Sequence, residues 1–310
     1  MRMIRHIWNC PSCKQDFDLN RKMNARHMVS CVPAVAEAKA VEEITNDLQP
    51  NILTVDALGS NGRLGNQMFQ VASTIGIATK HGAEAVLPPW YCTYTKKHIS
   101  QFFENPVKQV ALVQMRPVHN YMESGFAYQE IPFRKNMRIK GYFQSERYFE
   151  HCTDVIRHHF KPSQAVIDKI VGKYGMLLDG NTCAVHIRRG DYVNNSVHGV
   201  CDMAYYQRGM AYVSKQKAVD KFFIFSDDIR WCQENLRGDN YVYVSGNIDV
   251  EDLFIMSMCK NFVISNSSFS WWASWLCEHP QKIIVAPTKW FTDSANMDQK
   301  DIYTKQMTRL

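Results

Sequence analysis

Several features that would assign a protein to a membrane, secretory or nucleic-acid-binding class are absent from this sequence. No apolar run reaches the roughly 18 residues that a transmembrane helix needs, so no stable membrane insertion is expected. The first residues are partly basic but lack the apolar stretch of a signal peptide. No dense Lys/Arg tract, internal repeat or low-complexity segment occurs. The net charge of +6 over 310 residues is modest and suits a small anionic ligand at least as well as a nucleic acid.

The ten cysteines are unevenly distributed. Three of them lie within the first 31 residues, and the other seven are scattered singly, several inside apolar runs. Single cysteines in apolar runs are typical of reduced, buried thiols. The distribution therefore favours a reducing, cytoplasmic location.

Residues 1–34 are predicted to form a zinc-finger-like module. Its four potential ligands are Cys10, Cys13, His27 and Cys31, with two, thirteen and three residues between them. This spacing is typical of a tetrahedral zinc site, and a unit this small needs the metal for its folding energy. We expect a structural zinc ion there, with a protein as the partner of the module in preference to a nucleic acid. Residues 35–50 are rich in Ala, Glu and Lys and read as a helical linker.

From residue 51 onward, short apolar runs alternate with helical patterns, which predicts an α/β fold with parallel sheets. The pattern falls into two halves, 51–178 and 179–310, and suggests a two-domain enzyme with a cleft. The segment 90–136 shows no regular pattern and is a candidate for acceptor-binding loops. The predicted strands are 52–55, 85–87, 183–187, 221–225, 241–244, 261–264 and 282–286.

The most informative segment is HIRRGD at 186–191, directly after a predicted buried strand. Two guanidinium groups at a strand end are costly to bury, and their planar forks of donors match phosphate oxygens. A clamp for a nucleotide diphosphate is one interpretation. A solvated Arg-Asp turn is the other, because an exposed ion pair contributes only about 0–1 kcal/mol.

Two further polar clusters, 226–228 and 265–270, also follow predicted strands. The carboxyl ends of parallel strands meet at one sheet edge, where ligands bind, so three clusters there favour a nucleotide pocket. For Asp227 and Asp228 three roles stay open: metal binding, contact with guanine or ribose, and, for Asp228, capping of the next helix. The loop 62–67 lacks the G-x-G-x-x-G pattern of dinucleotide sites, and Asn66 in it suits a helix N-cap.

The part of the chain after about residue 52 resembles the α-1,2-fucosyltransferases of glycosyltransferase family 11. The resemblance rests on five ordered motifs: GNQMFQ at 65–70, GYFQSE at 141–146, HIRRGD at 186–191, FSDD at 225–228 and ISNSSFSWW at 264–272. It implies a GT-B fold, in which two Rossmann-like domains face each other across a cleft. It also implies transfer of L-fucose from GDP-β-L-fucose to the 2-hydroxyl of a galactose-containing glycan, with inversion and without a catalytic metal.

The same resemblance implies roles for individual residues. Arg188 would contact the β-phosphate, Asp191 would brace it, and Asn66 would lie by the reacting centre, while Glu146 and Asp191 are alternative candidates for the general base. Donor binding is expected from the set His186, Arg188, Arg189, Asp227, Asp228, Ser267, Ser268, Phe269, Arg63 and Gly65.

Two features depart from the family pattern: Arg63 stands where the family usually has glycine, and the N-terminal module is additional. Two other functions stay open. One is transfer of another GDP-deoxysugar, since a diphosphate clamp does not recognise the sugar. The chain would instead be a zinc-finger-bearing binding protein if its transferase domain were inactive.

Overall fold

The structure is a computed structural model that describes residues 7–9, 16–18, 51–111 and 117–310. Strands β1 (Ile7–Asn9) and β2 (Asp16–Asp18) pair antiparallel. The four predicted zinc ligands and the predicted helical linker lie outside the described residues, so both stay predictions.

The strands of the first half are β3 (Ile52–Val55), β4 (Glu84–Ala85), β5 (Tyr91–Cys92), β6 (Lys97–His98), β7 (His119–Met122) and β8 (Met137–Lys140). Four of them form a parallel sheet with the order β4-β3-β8-β7. Helix α1 (Leu64–Lys80) connects β3 to β4, and β5 and β6 form a separate antiparallel pair. Helices α2 (Thr153–His159) and α3 (Gln164–Leu178) lead to the second half.

The strands of the second half are β9 (Thr182–Ile187), β10 (Lys221–Ser226), β11 (Tyr241–Tyr243), β12 (Asn261–Val263), β13 (Ile284–Ala286) and β14 (Met307–Arg309). They form a parallel six-stranded sheet with the order β11-β10-β9-β12-β13-β14. Its helices are α4 (Met203–Gln216), α5 (Ile229–Asn235), α6 (Asp249–Ser257) and α7 (Ser268–Leu276). Counted within this half, the order is 3-2-1-4-5-6, the doubly wound order of nucleotide-binding sheets.

In this order the chain reverses direction across the sheet between β9 and β12. Ligands of open α/β sheets bind in the crevice at such a reversal, beyond the carboxyl ends of the strands. The segments that leave β9 and β12 are the predicted clusters 186–191 and 265–270. The topology therefore places two of the three polar clusters at the position where a ligand is expected.

The two halves pack against each other through aromatic side chains of α1 and α7. Phe69 on α1 lies with its ring centroid 4.4 Å from that of Trp271 and 5.0 Å from that of Trp272, both on α7. Phe149 stacks on Trp272 at 5.4 Å. All four side chains are buried. Burying aromatic rings of this size contributes strongly to stability, so this contact fixes how α1 and α7 meet.

All five predicted strands of the second half are confirmed, and β14 is an additional strand that was not predicted. Segment 90–136 is more regular than predicted. It contains β5, β6 and β7. Strand β8 was not predicted either, because it is only four residues long and alternates buried Met137 and Ile139 with Arg138 and Lys140. A short half-polar strand carries too weak a pattern to stand out from a loop.

Two further findings concern the described part of the chain only. No helix in it is both long enough and apolar enough to cross a membrane. Its seven cysteines are free thiols, and six of them are buried.

Candidate active site

Arg188, the first residue after β9, is held in place by two carboxylates. Its Nη1 lies 3.1 Å from Oδ2 of Asp227, and its Nη2 lies 2.5 Å from Oδ1 of Asp191. Only 13% of the side chain is exposed. The guanidinium has five N–H donors, so the two ion pairs leave donors over. The buried Nε finds no acceptor among the described residues. Arg188 is therefore fixed in orientation and still able to donate to an anion.

Arg189 is held by the cluster that follows β10. Its backbone N–H donates to Oδ1 of Asp227 (2.9 Å), and its Nε donates to Oδ2 of Asp228 (3.2 Å). Its guanidinium lies 3.7 Å from the ring centroid of Trp231. Asp228 also accepts the backbone N–H of Trp231 as the N-cap of α5, which confirms the capping role. Both carboxylates thus contact the arginines in this structure.

Asp191 connects the two halves of the molecule. Its Oδ2 lies 3.5 Å from Nη2 of Arg63, the residue that immediately precedes α1. Both side chains are about half exposed, at 55% for Arg63 and 47% for Asp191. Because both carboxylate oxygens contact guanidinium groups, the geometry favours a bracing role for Asp191. Arg63 adds a third guanidinium to the edge of the cluster.

The N-termini of α1 and α7 meet beside these arginines. A Cβ atom on Gly65, the second residue of α1, would lie 2.5 Å from the backbone nitrogen of Phe269 in α7. Only glycine permits this approach. Ser267 caps α7 by accepting the backbone N–H of Phe269 (3.3 Å). The N-terminal ends of helices attract anions through free N–H groups and the helix dipole, and here two such ends converge.

Asn66 contacts residues from both sides of the junction. Its Oδ1 accepts hydrogen bonds from Oγ of Ser268 (2.5 Å) and from Nε2 of Gln144 (2.8 Å). Asn66 is not the N-cap of α1, because that position belongs to Arg63. The predicted capping role of Asn66 is therefore wrong, since the helix begins two residues earlier than its pattern indicated.

His186 is buried inside the second half. Its Nδ1 lies 2.9 Å from both Oγ of Ser270 and Oγ of Ser265, and its ring packs against Phe269. Burial, together with the nearby positive charge of Arg188, lowers the pKa of His186 to about 3. The imidazole is therefore neutral at physiological pH, and its contacts stabilise the carboxyl end of β9.

This lowered pKa makes stability depend on pH. The unfolded chain protonates its histidine near pH 6.5, whereas folded His186 resists protonation down to about pH 3, so His186 makes stability fall as pH drops below 6.5. We expect a His186→Asn variant to lose less stability than the parent between pH 7 and pH 5. Urea unfolding at both pH values measures this difference. An identical loss in both proteins would contradict the buried, neutral state of His186.

Glu146 is placed apart from the arginine cluster. Its carboxylate accepts a hydrogen bond from Trp275, near the C-terminal end of α7, and burial raises its pKa. Trp275 is seven residues beyond Ser268, or about 10 Å along the helix axis.

The arginine cluster is connected through Asp191 and Arg63 to the N-terminus of α1. There Gly65 and Asn66 meet the start of α7. Arg189 and Asp228 lie at the N-terminus of α5.

Four residues near the site were not singled out by sequence reasoning as site residues. Trp231 and Tyr192 lie against Arg189 and Arg188, with the Tyr192 ring centroid 5.3 Å from the Arg188 guanidinium. Gln144 contacts Asn66, and Glu123 contacts the segment that carries Gln144. Gln144 lies inside the GYFQSE motif, so the sequence could have indicated it as a site residue, whereas Glu123 lies in none of the five motifs. Among the described residues, no group of three or more His, Cys, Asp or Glu side chains is arranged to hold a metal ion.

Comparison with known proteins agrees with these motifs. The model of glycosyl transferase family 11 matches residues 23–309, beginning earlier than the predicted start near residue 52 and including His27 and Cys31. The chain is 31% identical over 262 residues to an alpha-1,2-colitosyltransferase of Escherichia coli, covering 74% of this chain and 90% of the relative. It is 26% identical over 246 residues to the galactoside alpha-(1,2)-fucosyltransferase 1 of Oryctolagus cuniculus, covering 70% of this chain and 62% of that enzyme.

The chain is also similar to a second bacterial glycosyltransferase and to one solved structure. The O-antigen biosynthesis glycosyltransferase WbnK of Escherichia coli is 35% identical over 163 residues, which cover 49% of this chain and 54% of WbnK. The chain thus spans less than two thirds of the length of WbnK and of the fucosyltransferase from Oryctolagus cuniculus. The fold is similar to that of fucosyltransferase NodZ from Bradyrhizobium, with a TM-score of 0.51, 16% identity, and coverage of 73% and 93% of the two chains. With the family model matching most of its length, the chain belongs to glycosyl transferase family 11.

Proposed function

We propose that this protein is an inverting α-1,2-fucosyltransferase of GT-B type. It transfers L-fucose from GDP-β-L-fucose to the 2-hydroxyl of a galactose-containing glycan. The observation that carries the proposal is the fixed guanidinium of Arg188 at the reversal between β9 and β12, with donors still unused. A planar set of N–H donors in this position suits the oxygens of a diphosphate.

The proposed chemistry follows from where negative charge develops. As the bond between fucose and the β-phosphate breaks, the GDP leaving group gains negative charge. Arg188 is already oriented by Asp191 and Asp227, so it stabilises that charge without reorganising. The N-termini of α1 and α7 add partial positive charge from both sides. We assign neutralisation of the diphosphate to these groups, with Arg63 at the rim.

The alternative donor is a second GDP-deoxysugar. A relative with 31% identity is named an alpha-1,2-colitosyltransferase, which directs attention to GDP-colitose. The arginine cluster recognises the diphosphate and carries no information about the sugar. Fucose and colitose are therefore separate hypotheses for the donor, and they share one nucleotide site.

A donor panel distinguishes these hypotheses. The purified chain is incubated with GDP-fucose or GDP-colitose and with lactose or N-acetyllactosamine, and the linkage of each product is determined by NMR. We expect an α-1,2-linked fucosyl product. A product from GDP-colitose alone would support the alternative donor. If neither donor gives transfer or releases GDP by hydrolysis, the transferase proposal fails and an inactive, binding role remains.

We further propose one structural zinc ion in residues 1–34, held by Cys10, Cys13, His27 and Cys31. The spacing of these residues carries this proposal. We expect about one zinc per chain by elemental analysis, as one complete ligand set implies. A Cys13→Ser variant is expected to lose it, while Cys92→Ser, in the catalytic part, keeps it. Zinc-free parent protein would refute the assignment.

A further inference from the structure

Glu123 is a half-buried carboxylate that the proposed reaction does not use. It directly follows β7, at the carboxyl edge of the first sheet. It accepts the backbone N–H of Tyr142 (2.6 Å) and that of Phe143 (2.9 Å). Burial raises its pKa, and the two N–H groups oppose that rise. Keeping a carboxylate charged in this position costs free energy, and its hydrogen bonds fix the backbone at Tyr142 and Phe143.

The backbone segment held by Glu123 has an unusual conformation. Phe143 is fully buried and adopts a φ of +51°, in the left-handed region that non-glycine residues rarely enter. Such a conformation costs free energy and persists only where its surroundings impose it. The carboxylate of Glu123 supplies that constraint through both N–H groups. The turn then directs the next side chain, Gln144, toward α1.

Gln144 completes a path from Glu123 to the junction of the two halves. Its Nε2 donates to Oδ1 of Asn66, the same oxygen that accepts from Ser268. Because Oδ1 of Asn66 already accepts two hydrogen bonds, its Nδ2 is the group that can donate to another partner. It lies against Gly62, where an added Cβ atom would be 2.3 Å from it and where φ is +79°. Glycine is therefore required for the amide to occupy this position.

We propose that Glu123 and Gln144 are positioning residues for Asn66. Glu123 imposes the left-handed turn at Phe143, and the turn sets Gln144 to orient the carboxamide of Asn66 so that its Nδ2 donates to the bound GDP-sugar. The proposal rests on the proposed function, because Asn66 needs a donor substrate to contact. It predicts that losing Gln144 affects the reaction step more than nucleotide binding.

The test compares Gln144→Met with Gln144→Glu, two variants of similar size. Met removes the hydrogen bond, and Glu replaces the donor by an acceptor. We expect kcat to fall about 10-fold or more in both, since one positioning contact is lost, while GDP affinity measured by calorimetry changes less than about 2-fold. Gln164→Met, on the exposed start of α3, is the matched control and is expected to retain the parent kcat.

Glu123 acts one step further from the substrate, through Gln144. Glu123→Gln keeps one acceptor oxygen and is expected to retain part of the kcat that Glu123→Ala loses. Glu130→Gln, an exposed glutamate of the same segment, is its control. Crystal structures of the two Glu123 variants show directly whether Phe143 keeps its positive φ and whether Gln144 still contacts Asn66.

The outcomes separate this inference from the proposed function. Any donor that the parent protein turns over serves for the kinetics, so fucose specificity is not required. A Gln144→Met variant with unchanged kcat, or with equal losses of kcat and GDP affinity, would overturn the positioning role. A Glu123→Ala structure that keeps the turn and the contact to Asn66 would remove Glu123 from it. If the parent lacks all transfer and hydrolysis, the proposed function falls, and this inference with it.

Discussion

An Arg188→Ala variant is expected to lose about 100-fold to 1,000-fold in kcat, the loss typical of removing one preorganised donor to a developing negative charge. The physical reason is that Arg188 enters the reaction already oriented by Asp191 and Asp227. Alanine removes both the charge and the fork of donors. Arg188→Lys keeps the charge but not the fork, so its kcat is expected to lie between those of the parent and the alanine variant. Steady-state kinetics with GDP-fucose and an acceptor measures all three.

A control is needed because removing Arg188 takes one ion-pair partner from each of two carboxylates, Asp191 and Asp227. Arg230→Ala is a suitable one, since this arginine of α5 is 89% exposed and pairs only with Glu234 among the described residues. It is expected to change kcat by less than about 2-fold, as an exposed ion pair contributes little. Thermal unfolding shows whether each variant is folded. An Arg188→Ala enzyme that folds and transfers fucose at the parent rate would show that Arg188 is not the diphosphate contact.

The second large effect is expected at Gly65. A Cβ atom there would lie 2.5 Å from backbone atoms of Ser268 and Phe269, and backbone cannot move aside as a side chain does. Gly65→Ala is therefore expected to push α1 from α7, with about 1–3 kcal/mol lost from the free energy of unfolding. Because the displacement would also separate Asn66 from Ser268, we expect kcat to fall about 10-fold or more, as misplaced catalytic groups cause. Urea unfolding and kinetics measure the two effects.

Gly172 in α3 provides the matched comparison. It is also a helical glycine, but an added Cβ atom meets nothing within 4 Å. Gly172→Ala is expected to be neutral or to stabilise the protein by up to about 1 kcal/mol, since alanine favours helix. Its kcat should match that of the parent. If Gly65→Ala behaves like Gly172→Ala in both measurements, the close approach of α1 and α7 is not required.

Five of the six strands of the second half were predictable because each is a short apolar run followed by polar residues, whereas β14 contains only one apolar residue. Thr182–Ile187, fully buried, is the clearest case. The first half was harder to predict. Strand β8 alternates charged and apolar residues over only four positions, so its pattern does not differ from that of a loop. The predicted strand 85–87 overlaps the two-residue β4 at Ala85. Helix α1 was placed correctly, but its start was not, because Arg63 has no capping side chain to mark it.

The candidate site was predictable in its residues but not in their mutual contacts. Sequence reasoning brought 186–191, 226–228 and 265–270 to one sheet edge, and the structure places them there. It did not show that Asp227 and Asp228 contact the arginines, because an ion pair between strand ends depends on register. Glu123 was missed because its role comes from the conformation of Phe143, which no sequence pattern indicates.

The central claim is that Arg188 binds the diphosphate of a GDP-sugar, and calorimetry with GDP and GMP tests it most directly. The two nucleotides share guanosine and differ by one phosphate. We expect the parent protein to bind GDP about 10-fold to 100-fold more tightly than GMP, which corresponds to one or two hydrogen bonds to a charged group. The Arg188→Ala variant is expected to bind GDP and GMP almost equally. A variant that keeps the full preference of the parent for GDP would contradict the account.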